Sequence, residues 1–177
     1  NAFHTNQLAP VTINGLNNVV ALSSHSSTTC ALINDGTVKC WGYSGAASGN
    51  DWTPPWDTTT PTTITGVTDA TAIATGLSHA CALTASGGVK CWGGNGSGQL
   101  GNGTVTNSNV AVDVDGLTSG VVAITAMKWE GSFSCAVLAD GGVKCWGYNG
   151  QGQLGDHTTN NRIKPVSVLG IAGSGYL

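Results

Sequence analysis

Three stretches of this chain say the same thing: "CALINDGTVKCWG" at 30–42, "CALTASGGVKCWG" at 81–93 and "CAVLADGGVKCWG" at 135–147. Successive copies begin 51 and 54 residues apart, a period that belongs to propeller blades or a solenoid. Each copy reads as a β-hairpin. Its middle (Asn-Asp-Gly, Ala-Ser-Gly or Ala-Asp-Gly) suits a three-residue turn that ends in a left-handed glycine. That turn sets Cys30 across from Cys40, Cys81 across from Cys91 and Cys135 across from Cys145. Directly opposed strand residues approach closely enough for a disulfide. Three hairpin disulfides are therefore expected, with free core thiols as the alternative. A zinc site is disfavoured because no close C-x2-4-C ligand pair occurs. Stable bridges imply an oxidising compartment, so the chain is expected to be extracellular, at the cell surface or periplasmic.

A second element precedes each hairpin. "PVTINGLNNVVALSS", "PTTITGVTDATAIAT" and "VAVDVDGLTSGVVAIT" each hold a short alternating run, a glycine (Gly15, Gly66, Gly116) and another strand-like run. The unit is four short strands, and the fold class is all-β. Read this way, the units span 8–60, 61–108 and 109–164, and 165–177 starts a fourth. Glycine-rich text follows the hairpins, and in it Gly96-Ser-Gly98-Gln-Leu-Gly101 and Gly150-Gln-Gly152-Gln-Leu-Gly155 fit the G-x-G-x-x-G pattern of a dinucleotide loop. Neither copy opens a helix: "NGTVTNSN" and "DHTTNN" follow, and such runs favour turns. The stretch is a turn between blades, and no cofactor is expected.

From Gly76 to Gly101 the text runs G-x-x-H-x-C-A-L-x-x-x-G-x-V-x-x-W-G-x-N-x-x-G-Q-L-G. It resembles the repeat of the regulator-of-chromosome-condensation family, over nearly the whole chain and three times. The resemblance implies a β-propeller, seven-bladed in that family, that works through its loop surfaces. The nuclear founder acts on a small GTPase, and a secreted bacterial relative inhibits β-lactamases. The cysteine pairs are closer to the bacterial secreted type. Departures fall in the first unit, with "GYSGAASGNDWTPPWDTT" in place of the glycine loop, and in the third, around Met127 to Gly131. Thr28 and Phe133 stand where the second unit has His79.

Only 8% of residues are charged, the net charge is −3 and six Lys plus Arg are scattered, so no basic patch exists for nucleic acid. No apolar run is long enough to span a bilayer, so no membrane insertion is expected. The opening "NAFHTNQLAP" has no signal-peptide pattern, so an exported chain would already have lost its leader.

Catalytic machinery is not visible. The four histidines are dispersed, no Gly-x-Ser-x-Gly elbow occurs, and several carboxylates sit in turns. His79 reads as structural, bonding across strands. Asp113 and Asp115 alternate along a strand and share a face, a calcium pair at most and a solvated face by preference. No metal is expected, and the chain is expected not to be an enzyme. Trp41, Trp92 and Trp146 recur at one place and read as inter-blade core. Trp52, Trp56 and Trp129 break the repeat and are candidates for a binding surface, with Tyr43 and Tyr148 second in rank. Asn95-Gly-Ser97 and Asn102-Gly-Thr104 match the glycosylation acceptor pattern.

The leading expectation is an exported, non-enzymatic interaction or structural module. Its partner is another protein or other copies of itself, in a ring or a filament. The rivals are a carbohydrate-binding module that uses the loop tryptophans, and an accessory segment of an exported enzyme. Three blades leave two open apolar faces. "KPVSVLGIAGSGYL" repeats "APVTINGLNN", so Pro165, Val166, Val168 and Leu169 are expected to open a fourth unit or to complete a neighbour's blade.

Overall fold

The computed structural model describes residues 8–25, 27–42, 58–128 and 132–169. Every regular element among them is a strand, and the strands form three four-stranded antiparallel sheets. The first sheet holds β1 (Val19–His25), β2 (Thr28–Ile33), β3 (Val38–Gly42) and β4 (Thr58–Thr63). The second holds β5 (Ala70–Thr75), β6 (His79–Thr84), β7 (Val89–Gly93) and β8 (Ser108–Asp113). The third holds β9 (Val121–Lys128), β10 (Ser132–Leu138), β11 (Val143–Gly147) and β12 (Arg162–Ser167). Within each sheet the strands lie side by side in chain order. The first strands β1, β5 and β9 adjoin one another, as the inner strands of propeller blades do.

The hairpins form as expected, for a local reason. Asn34, Asp35 and Gly36 lie between the Ile33 amide and the Thr37 carbonyl it donates to, 2.9 Å away, and Gly36 has φ +83°. Cys30 then faces Cys40, Cys81 faces Cys91 and Cys135 faces Cys145. The sulfurs of the three pairs lie at bonding distance, 2.14, 2.09 and 2.08 Å.

The sheets divide the sequence differently from the expected units. The alternating runs before Gly66 and Gly116, and the one that starts the expected fourth unit, are outer strands of the sheet before them: Thr58–Thr63 pairs with β3, Ser108–Asp113 with β7 and Arg162–Ser167 with β11. Pro165 and Val166 thus belong to the third sheet of their own chain. The Val168 amide donates to the Val143 carbonyl and the Leu169 amide to the Gly155 carbonyl, both at 2.9 Å. Within this chain, then, the four residues run along the third sheet. Alternation shows that a strand exists; it does not say which free edge accepts it.

Two cores hold the sheets together. Leu32, Val38, Ile64 and the first cysteine pair meet Ala80, Ala82 and Trp92. Leu83, Val89, Val114 and the second pair meet Ala136 and Trp146. Each sheet therefore has a forward face of cysteine, leucine and valine, and a rear face that carries a tryptophan. Trp92 and Trp146 are fully buried. Trp41, on the rear face of the first sheet, is only partly buried, which corrects the expectation that all three are inter-blade core. No sheet among the described residues stands behind it.

Candidate interaction surface

The glycine-rich loops between the third and fourth strands, at 94–107 and 148–161, shape one end of the sheets. Each is organised around a buried asparagine whose structural role the sequence reading did not assign. The Asn95 side-chain carbonyl accepts from the Leu100 amide at 2.9 Å, and its amide donates to the Thr104 and Thr106 carbonyls, each at 3.0 Å. Asn149 does the same with the Leu154 amide, 2.9 Å, and the Thr158 carbonyl, 3.0 Å. Both asparagines are fully buried, and so are Leu100 and Leu154, the leucines that the loops turn inward. The Asn95 glycosylation pattern is thereby explained as loop architecture: a fully buried amide whose protons are already donated is no glycan acceptor. The signal in the sequence was the Asn four residues before Gln-Leu-Gly in both complete loops.

Asp156 anchors the third sheet's loop. Burial works to raise its carboxyl, but hydrogen bonds from Thr158, Arg162 and Asn149 outweigh this and hold it below the ordinary value.

The loop of the second sheet also reads the third sheet. The Gln99 backbone carbonyl accepts from the Trp146 indole Nε1 at 2.9 Å and from the Ser134 hydroxyl at 3.2 Å. Ser134 thereby spends its proton, so its oxygen accepts from His79 Nε2, 2.8 Å away, and His79 is the neutral Nε2–H tautomer. The expected structural role of His79 is thus realised across sheets. Burial first, and the nearby His25 second, push its pKa down to about 4 from the usual 6.5. Below pH 6.5 the unfolded chain takes up a proton that the folded chain refuses until about pH 4. Stability is therefore complete above pH 6.5 and falls with acid across that window, by on the order of 3 kcal/mol. Denaturant titrations at pH 7 and pH 4.5 are expected to differ much less for His79→Phe, which installs the residue found at Phe133. An unchanged slope in the variant would show that another group carries the effect.

Asp113 and Asp115 are each paired with a lysine rather than with one another. Asp113 accepts from Lys90 Nζ at 2.7 Å. Asp115 lies beyond the end of β8, not on a shared strand face, and pairs with Lys164 of the third sheet. Of the proposed contact residues, Tyr43, Trp52, Trp56 and Trp129 lie outside the described residues. The described residues that flank them, Gly42 and Thr58, and Lys128 and Ser132, stand at the loop end of their sheets. Tyr148 is half-buried, its ring folded over Gly150, so it supports the loop as much as it faces outward.

Residues 70–99 and 131–153 match the regulator of chromosome condensation (RCC1) repeat. The chain carries RCC1-type propeller repeats. Human HERC2, an E3 ubiquitin-protein ligase, is 32% identical over 161 residues, which are 87% of this chain and 3% of HERC2. The mitochondrial RCC1 domain-containing protein RUG3 of Arabidopsis thaliana is 31% identical over 140 residues, 77% of this chain and 31% of RUG3. The crystal structure of Prp20p from Saccharomyces cerevisiae superposes with a TM-score of 0.75 at 17% identity, over 89% of this chain and 40% of Prp20p. Prp20p is described with binding properties to Gsp1p and histones, and bound to Kap60. The chain thus spans less than half the length of each relative, and the RCC1 repeats establish an all-β propeller architecture.

Proposed function

We propose that this chain is an exported, non-enzymatic module of the secreted, cysteine-bearing type, which works by binding proteins, copies of itself included. The observation that carries the reading is the contrast between its inner and outer faces. Where two sheets meet, the apolar positions are closed: Leu32 is 3% exposed and Leu83 8%. At the same position on the third sheet Val137 is 38% exposed, and on the first sheet's rear face Leu22 is 65% exposed. Apolar surface of this kind, rimmed by polar loops, marks interaction sites. RCC1 propellers bind protein partners in Prp20p, which supports the class of ligand. Export is supported by the three cysteine pairs and by a surface that relies on neutral polar groups, with 8% of residues charged. Light scattering on the 177-residue chain tests the self-association. A mass that rises above one chain with concentration is expected, and a monomer at every concentration would overturn it.

A further inference from the structure

Four asparagines of this chain are followed by glycine: Asn14, Asn95, Asn102 and Asn149. Asparagine is chemically labile, and a following glycine, with no Cβ to obstruct it, exposes the side chain to attack by its own backbone. The glycine nitrogen loses its proton and adds to the side-chain carbonyl carbon. The bond from that carbon to Nδ2 breaks, the nitrogen leaves as ammonia with the proton, and a cyclic imide remains. Water then opens the imide to aspartate or isoaspartate. The reaction needs an amide that water can reach, a glycine N–H free of hydrogen bonds, and room for the ring.

The loops deny these conditions to three of the four. Asn95 and Asn149 are fully buried, with Oδ1 and Nδ2 both engaged inside their loops. Asn102 is only half-buried, but its Oδ1 accepts from the Thr104 backbone amide at 3.2 Å and from the Thr104 hydroxyl at 2.8 Å. The Gly103 N–H is committed to the Ile163 carbonyl at 2.9 Å. The space beside that glycine is taken as well, since a Cβ there would stand 2.9 Å from Lys164 Cε.

Asn14 is under none of these restraints. It is exposed, as is Gly15, and among the described residues nothing bonds its side chain or the Gly15 N–H. A Cβ on Gly15 would meet nothing within 4 Å. The exposure belongs to the position in the repeat. Thr65 and Gly66 hold the same place at the joint between the first and second sheets, and Asp115 and Gly116 hold it at the joint between the second and third. Both pairs are exposed although the sheets around them are in place, and the Asp115 side chain is 47% exposed. The Gly66 and Gly116 N–H groups are unbonded too.

We propose that Asn14 is a site of spontaneous deamidation, where the folded chain turns an amide into a carboxylate while its three other Asn-Gly pairs are protected. The product adds one negative charge to a net charge of −3. Aspartate suits the position, because Asp115 already stands at it before the third sheet. Isoaspartate does not leave the turn unchanged: it puts an extra carbon into the backbone and displaces the Gly15 carbonyl, which accepts from Lys39 Nζ at 2.9 Å. The modification therefore acts on the contact that ties this turn to the first sheet.

Incubation of the folded chain in warm, mildly alkaline buffer tests the site, with a second sample reduced and unfolded in denaturant. Heavy-oxygen water marks each converted side chain, and peptide mapping by mass spectrometry locates it. In the folded chain Asn14 is expected to convert while Asn95, Asn102 and Asn149 keep their amides. In the unfolded chain all four are expected to convert at similar rates, because the fold and not the dipeptide makes the choice. Conversion of any of the other three ahead of Asn14 in the folded chain overturns the proposal. So does an Asn14 that is still an amide when the unfolded sample has converted, or an unfolded chain that converts at Asn14 alone. Asn14→Gln, at an exposed position, is expected to lose the acidic species that isoelectric focusing detects in the aged parent, and its persistence would place the new charge elsewhere.

Discussion

Trp146→Ala is expected to lower stability by about 3 to 5 kcal/mol, the range for a large aromatic removed from a closed core. The indole is fully buried in the second core, and its Nε1 donates to the Gln99 carbonyl. Truncation leaves a cavity that the disulfide-tied hairpins beside it cannot easily collapse into. Trp92→Ala, in the first core, is expected to cost a similar amount. Trp41→Ala is expected to cost about 1 to 2 kcal/mol in dilute solution, since a half-exposed ring has less burial to lose. Denaturant melts of the three variants decide the matter. Equal losses at Trp41 and Trp146 would mean that the rear face of the first sheet is covered.

Removal of the disulfides is expected to have the larger total effect. Each pair lies 10 residues apart in sequence, and closing so short a loop contributes about 3 kcal/mol through the unfolded state. Losing all three would consume a stability that for domains of this size is typically about 5 to 15 kcal/mol. The fully reduced chain is therefore expected to have lost its cooperative unfolding transition. The bridges should not open together. Cys30, Cys40, Cys81 and Cys91 are sealed in the two cores, while Cys135 lies partly exposed on the open forward face. Mild reductant in dilute solution is expected to reduce Cys135–Cys145 first, as read by alkylation and peptide mapping. Simultaneous loss of all three would argue that the third bridge is as well covered as the others.

The local half of this architecture was legible in the residues. The turn around Gly36 fixes which cysteine faces which, and that information lies within thirteen neighbouring positions. The four-strand count was also readable, because alternation has a period that no helix shares. What was not legible depends on what stands next to what. Thr58–Thr63 and Arg162–Ser167 read equally well as first or last strands, since an exposed outer strand carries little pattern to tell its partner's side. Trp41, Trp92 and Trp146 are identical in their local text, yet differ in burial because, among the described residues, only Trp92 and Trp146 have a sheet behind them. Asn95 drew notice only within a glycosylation pattern, and Asn149 passed as loop composition. Polar residues abound in turns for bland reasons, and only the repeated spacing to Gln-Leu-Gly marked these two as buried.

The joint around Gln99 has one more consequence, which concerns how such a chain can lengthen. All the groups that bind one sheet to the next lie within a single period: the loop carbonyl and apolar forward face on one side, the indole and hydroxyl on the other. Duplication of one period would add one sheet and one joint, and would leave both end faces as they were. Stability then grows by nearly equal increments, governed by neighbours alone. Repeat number is thereby a quantity that gene duplication can adjust without redesigning a core.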